Sequence, residues 1–167
     1  MTGSIITQLI DFDRGDRNRV NHALKVTGYA MAIASGESIP AGDRRILEAA
    51  AVLHDVGILP AMAKYGHAHG HAQEEMGPPE ARTILRGLGW GDDDILLVEY
   101  LVGHHHSYGT DGGPLLQILF EADFLVNIDE GAFPGQSPPS LRDRYFRTPS
   151  GIRIFNALYP ASPSSEG

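Results

Sequence analysis

The segment from Leu115 to Val126 (Leu-Leu-Gln-Ile-Leu-Phe-Glu-Ala-Asp-Phe-Leu-Val) is hydrophobic on nearly every side, which narrows the folds open to the chain. A helix apolar all round has to be surrounded, so this one is expected at the centre of a bundle. Asp123 lies one turn after Leu119 and Phe120 and one turn before Val126. A carboxylate on such a face is costly unless it is paired or metal-bound. A buried salt bridge is the competing account, but the segment holds no basic residue, and a metal ion fits better.

A second stretch raises the same question. Ala49 to Ile58 reads as the last two turns of a buried helix ending at Gly57, with Ile46, Leu47, Ala50, Leu53 and His54 on its inner face and Asp43 as its cap. His54 and Asp55 stand side by side at its end. In solvent they would be an ordinary helix end; buried, both need a partner. A metal ion satisfies both, and the negative end of the helix dipole favours a cation there. Upstream, a helix capped by Asp16 or Asn18 carries His22, Val26, Tyr29 and Ile33 at helical spacing and stops at Gly36, which turns His22 inward. Downstream, Leu97, Leu101 and His104 share one face, and Val98, Leu101 and His105 another. Adjacent helical side chains diverge by about 100°, so His104, His105 and His106 cannot all serve one ion, and His106 is the expected outsider.

The ordered set His22 … His54-Asp55 … His104-His105 … Asp123 resembles the HD-domain superfamily of metal-dependent phosphohydrolases, over roughly residues 17 to 130. The resemblance implies an all-α HD-domain bundle of about six to seven helices, with His22, His54, Asp55 and Asp123 on one divalent ion. It also implies a bridging role for Asp55, with His104, His105 and Glu74 on a second ion. In many members a His lies three or four residues before the Gly opening the next helix; those positions are Gln73 and Glu74 here, so Glu74 stands in as an oxygen ligand and His71 is out of register. The implied reaction is attack of a metal-activated water on a phosphomonoester, nucleotide or phosphodiester. Ile58 follows Gly57 where the cyclic-dinucleotide diesterase subgroup has Lys, which points away from that subgroup. Two alternatives use the same fold: a di-iron oxygenase resembling the myo-inositol oxygenase relatives, and a non-catalytic ligand-sensing module.

Residues 1 to 12 offer one apolar docking turn through Ile5, Ile6, Leu9 and Ile10. Residues 58 to 73 read as a long loop, whose His67, His69 and His71 share one side if extended. His71 is the candidate proton donor to a leaving oxygen, and Lys64 and Arg82 are the candidate cations for phosphoryl oxygens. Glu74 to Glu80 opens the next helix with Pro78 and Pro79 in its first turn, and Gly89 ends it. Asp92, Asp93 and Asp94 cap and charge the helix after that. Residues 141 to 146 and 150 to 159 are short helices, the latter capped by Thr148 or Ser150. One domain is expected over 1 to 160, with a disordered tail at 161 to 167.

Composition bounds the partners. The chain of 167 residues is long enough for a real core, and its formal net charge of −8 disfavours bulk nucleic acid and anionic membranes. With no cysteine, a metal site must use His, carboxylate and water, which suits Mn, Fe, Co, Ni, Zn or Mg. No apolar run approaches a membrane span, and the start lacks the form of a signal peptide, so a cytoplasmic location is the default expectation. The expected partner is a small phosphorylated substrate, a nucleotide included; the oligomeric state is left open, a homodimer among the options.

Overall fold

The structure is a computed structural model and describes residues 2–160. The described residues hold no strand and form nine helices: α1 (Thr2–Phe12), α2 (Arg17–Gly36), α3 (Ala41–Leu53), α4 (Ile58–Tyr65), α5 (Gly70–Gly87), α6 (Asp92–Val102), α7 (Gly113–Asp129), α8 (Pro138–Tyr145) and α9 (Pro149–Leu158). The all-α class agrees with the sequence; the count exceeds six to seven because two segments are helical that periodicity had not assigned. The tail at 161 to 167 lies outside the described residues.

The central helix is α7. Leu116 and every residue from Ile118 to Val126 are buried, and α2, α3, α6, α8 and α9 all pack on it. One continuous core joins these helices and reaches from Ile5 on α1 to Phe155 on α9. Two acids are buried in α7, and they are satisfied differently. Glu121 accepts hydrogen bonds from Gln117 Nε2 (2.8 Å) and from the backbone N–H groups of Arg147 (2.6 Å) and Thr148 (2.8 Å). It also accepts from the Thr148 hydroxyl, while Thr148 Oγ1 accepts in turn from Gly151 N. Glu121 thus fastens the N-terminus of α9, where orphan donors and the helix dipole favour an anion. Asp123 is left for a different purpose.

Three elements differ from the sequence reading. The docking turn is the full helix α1, with Ile5 and Leu9 buried. The long loop is largely absent, because Ile58 to Tyr65 forms α4 and the next helix already starts at Gly70. Pro60 does not prevent α4, since a helix's first turn has no use for the amide hydrogen that proline lacks. Pro78 and Pro79 therefore lie inside α5 instead of opening it, and the carbonyls of Glu74 and Glu75 lose their helical donors. Smaller differences concern caps: Pro40 and Gly91 hold the cap positions of α3 and α6, with Asp43 and Asp92 to Asp94 in the first turns.

Gly57 and Gly77 explain why α5 lies so close to the His54-Asp55 turn. A Cβ on Gly57 would collide with the carbonyl oxygen of Gln73 and come within 2.8 Å of Gly77 N, while one on Gly77 would meet Val102 Cγ1 at 2.7 Å. Backbone cannot yield as a flexible side chain can. Gly57→Ala is therefore expected to destabilise by about 1–3 kcal/mol through overpacking, read as a lower Tm, whereas Gly87→Ala, where the new methyl meets open space, should not destabilise.

Candidate metal centre

Four elements bring the polar set together. His22 comes from the second turn of α2, His54 caps the C-terminus of α3, Asp55 follows in the turn before α4, and Asp123 projects from α7. His22 Nε2 lies 3.1 Å from Asp123 Oδ1 and 3.3 Å from His54 Nε2. His54 Nε2 is 3.6 Å from Asp123 Oδ1 and 3.4 Å from Asp55 Oδ2, which is itself 3.7 Å from His22 Nε2. On its other side, Asp55 Oδ1 faces His105 Nε2 at 3.5 Å. The two oxygens of Asp55 thus point at different imidazoles, and the side chain, 23% exposed, is where the cluster opens to solvent; His22, His54, His105 and Asp123 are buried.

The outer nitrogens of the three rings fix the tautomers. His54 Nδ1 donates to Ala51 O (2.8 Å) and His105 Nδ1 to Val102 O (2.7 Å), both carbonyls of the preceding helical turn. His22 Nδ1 meets Glu130 Oε2 at 2.9 Å, and Lys25 Nζ holds the same carboxylate at 3.0 Å. A neutral imidazole protonated at Nδ1 presents a lone pair at Nε2, so all three rings aim lone pairs at carboxylate oxygens or at each other. His105 Nε2 is buried without a hydrogen-bond partner among the described residues. Such an arrangement repels itself unless a cation sits within it. The groups fall into two sets whose ligand atoms are mutually close: His22, His54 and Asp123, and Asp55, His105 and His106. Nitrogen and oxygen donors without sulfur are the right chemistry for borderline-to-hard divalent ions.

A proton is the substitute cation when no metal is bound. Burial opposes charge on His54, but the Asp55 and Asp123 carboxylates outweigh it and raise its pKa to about 9. Burial likewise opposes ionisation of Asp55 and Asp123, yet the imidazoles hold both well below the usual carboxylate range. His106 goes the other way: burial and the charge of His105 push it down to about 4. For metal-free protein the signs are opposite. His54, raised above its ordinary value of 6.5, contributes stability that is complete below about 6.5 and lost as pH rises through about 9. His106 contributes stability present above 6.5 and lost as pH falls toward about 4. Metal-free protein is therefore expected to be most stable near pH 6.5. Because an ion must displace the His54 proton, its affinity should rise about tenfold per pH unit up to about 9. Melting curves across pH with and without Mn check both; a metal-induced rise in Tm that does not grow with pH would contradict the second.

The remaining sequence-based candidates lie elsewhere. His104, partly exposed, turns its Nδ1 to Tyr100 O at 2.7 Å, away from Asp55. Glu74 accepts from His106 N (3.0 Å) and from Ser107 Oγ (2.8 Å) and so secures the histidine turn from behind. Lys64 pairs with Glu75 at 2.9 Å, and Arg82 forms two contacts of 2.5 Å with Glu99 between α5 and α6. His71 is exposed near the start of α5, with no side-chain bond to the cluster among the described residues. The expected outsider, His106, is instead drawn in, because the chain after Gly103 leaves the α-helix in a turn and the 100° helical spacing no longer applies. His106 Nε2 lies 3.1 Å from Gln73 Oε1, and Gln73 Nε2 donates to Ala68 O at 2.7 Å. That settles the roles: His106 donates through Nε2 and accepts at Nδ1 from the Tyr108 hydroxyl, 3.1 Å away. Glu130, Tyr108 and Gln73 were not found as partners from sequence, since each is recognisable only by what it touches.

The HD-domain family model matches residues 19–128, and the chain belongs to that family. Among curated proteins it is similar to the "3'-5' exoribonuclease YhaM" of Bacillus pumilus (strain SAFR-032), 30% identical over 125 residues, covering 65% of this chain. The chain spans 39% of the length of that relative. No solved structure matches. No single helix among the described residues is long and apolar enough to cross a membrane.

Proposed function

We propose that the chain is a metal-dependent phosphohydrolase whose ion is held by His22, His54, Asp55 and Asp123, with Asp55 and His105 offering a second position. The observation that carries the reading is the set of buried Nε2 lone pairs converging on carboxylates, with His105 Nε2 left unpartnered. A divalent ion there supplies Lewis acidity, lowering the pKa of water and neutralising phosphoryl charge.

The chain's own groups do the rest. The carbonyls of Ala51 and Val102 hold the His54 and His105 rings in the tautomer that keeps Nε2 free. Glu130 does the same for His22, a second layer whose loss typically lowers metal affinity by about 10–100-fold. Asp55 faces both positions and reaches solvent, so substrate meets the centre at that acid. His106 stays neutral and accepts from Tyr108, so the Tyr108 hydroxyl, its pKa raised by burial and by the nearby carboxylates, stays protonated at the mouth. Membership of a family of hydrolases and similarity to an exoribonuclease support phosphate-ester chemistry. With a net charge of −8, a small ester suits the chain better than bulk nucleic acid.

A panel of phosphomonoesters and phosphodiesters, run on chelated protein and after reconstitution with Mn, Fe, Co, Ni, Zn or Mg, tests the reading. Hydrolysis that returns with metal is expected. Bound iron with oxygen consumption and no hydrolysis with any metal would replace it by the oxygenase alternative.

A further inference from the structure

Beside the centre, on the far side of Tyr108, lies a pocket of about 270 Å³ that the proposed chemistry does not use. Its walls include Tyr108, Phe120, Phe124 and Tyr145, with Arg144 and Arg147 among the lining residues. The rings form one cluster: Tyr108 lies 4.9 Å from Phe124 and 5.7 Å from Tyr145, and Phe124 stacks on Tyr145 at 4.2 Å. The two arginines differ. Arg147 spends its guanidinium on the carbonyls of Phe146 and Arg144, both at 2.7 Å, which fixes the turn after α8. Arg144 lies 5.3 Å from the Tyr145 ring centroid and forms no ion pair among the described residues, although its neighbour Arg142 pairs with Asp143. A guanidinium beside an aromatic wall is the chemistry that receives an anion attached to a flat ring.

The pocket adjoins the centre directly. Tyr108 lines it and gives its hydroxyl to His106, whose ring lies 4.0 Å from that of His105. Its α8 wall, with Arg144 and Tyr145, falls after residue 128, where the family match ends. A volume of about 270 Å³ is at the small end for a ligand pocket and suits a single ring with its attached group.

We propose that this pocket binds a nucleotide unit flanking the phosphodiester to be cleaved, with its base against the aromatic wall and its own non-reacting phosphate on Arg144. The inference rests on the phosphohydrolase reading and narrows the substrate class to short nucleotide-containing phosphodiesters. Calorimetry on the full chain with AMP, adenosine and ribose 5-phosphate, repeated with a chelator present, tests it, with hydrolysis of a dinucleotide followed in parallel. AMP is expected to bind at least about tenfold tighter than either fragment, each good stacked or charged contact being of that size. Arg144→Gln, at an exposed position, should cost AMP about tenfold and leave adenosine unchanged, with or without chelator. If the ranking holds and no phosphate ester is hydrolysed with any metal, the pocket stands and the hydrolase reading falls. If hydrolysis proceeds while ribose 5-phosphate binds as well as AMP, or Arg144→Gln changes nothing, the pocket proposal is overturned.

Discussion

Asp55→Ala is expected to abolish both hydrolysis and the rise in Tm that added Mn or Ni gives the wild-type chain. The substitution removes the one carboxylate whose two oxygens face separate imidazoles, Oδ2 toward His54 and His22 and Oδ1 toward His105. It also removes the acid through which the buried cluster meets solvent. The ion's contribution to stability follows from mass action, about 2.7 kcal/mol at a hundredfold excess over Kd, and the variant should forfeit it. The effect on metal-free protein is smaller, because His54 loses a favourable charge but keeps Asp123 at 3.6 Å. An Asp55→Ala protein with an unchanged metal-induced shift and unchanged hydrolysis would reduce the pair to a helix end.

Asp123→Ala should cost more in the fold itself. Its Oδ1 lies 3.1 Å from His22 and 3.6 Å from His54 and is held well below the usual carboxylate range: burial opposes its charge, and the hydrogen bond with His22 together with the nearby His54 imidazole overcomes that opposition. Removing one partner of a buried ionic cluster leaves the other charge uncompensated, typically a loss of about 3–5 kcal/mol. Metal-free Asp123→Ala is therefore expected to melt well below metal-free wild type, and no added ion should restore it. Glu121→Ala on the same helix provides the contrast. It should lower Tm by unfastening α9 while leaving the metal-induced shift in place. Equal metal responses in the two variants would contradict the division of labour between these buried acids.

Why the two acids differ could not be read along the chain. Both sit in an apolar run, and the apolar neighbours of Asp123 are visible along the chain while the distant partners of Glu121 are not. Besides Gln117 and the Thr148 hydroxyl, those partners are the backbone amides of Arg147 and Thr148, over twenty residues away, and a backbone donor leaves no mark in a sequence. The central helix, the inward turn of His22 and the His54-Asp55 end were legible because each follows from helical periodicity. The histidine triplet was not. The 100° rule holds within a helix, and α6 ends at Val102, so the turn beyond it sends His104 outward, buries His105 and brings His106 to Gln73. Residues 58 to 73 differ for a related reason: three alternating histidines suggest an extended loop, yet α4 takes Pro60 in its first turn and only residues 66 to 69 of this stretch remain outside helix. Gln73 and Glu74 depart visibly from the pattern of many HD-domain members. Their service to His106 and its turn needed the fold to be seen.

The most direct measurement is a count of ions per chain, by elemental analysis, after exposure to Mn, Fe, Co, Ni, Zn and Mg in turn and removal of the excess. For wild type, one or two divalent ions per chain are expected with at least one of these metals, and none for Asp55→Ala or Asp123→Ala under the same treatment. Wild-type chains that retain no ion of any kind, with a Tm indifferent to all six, would show that the buried lone pairs of His22, His54 and His105 are not a metal centre.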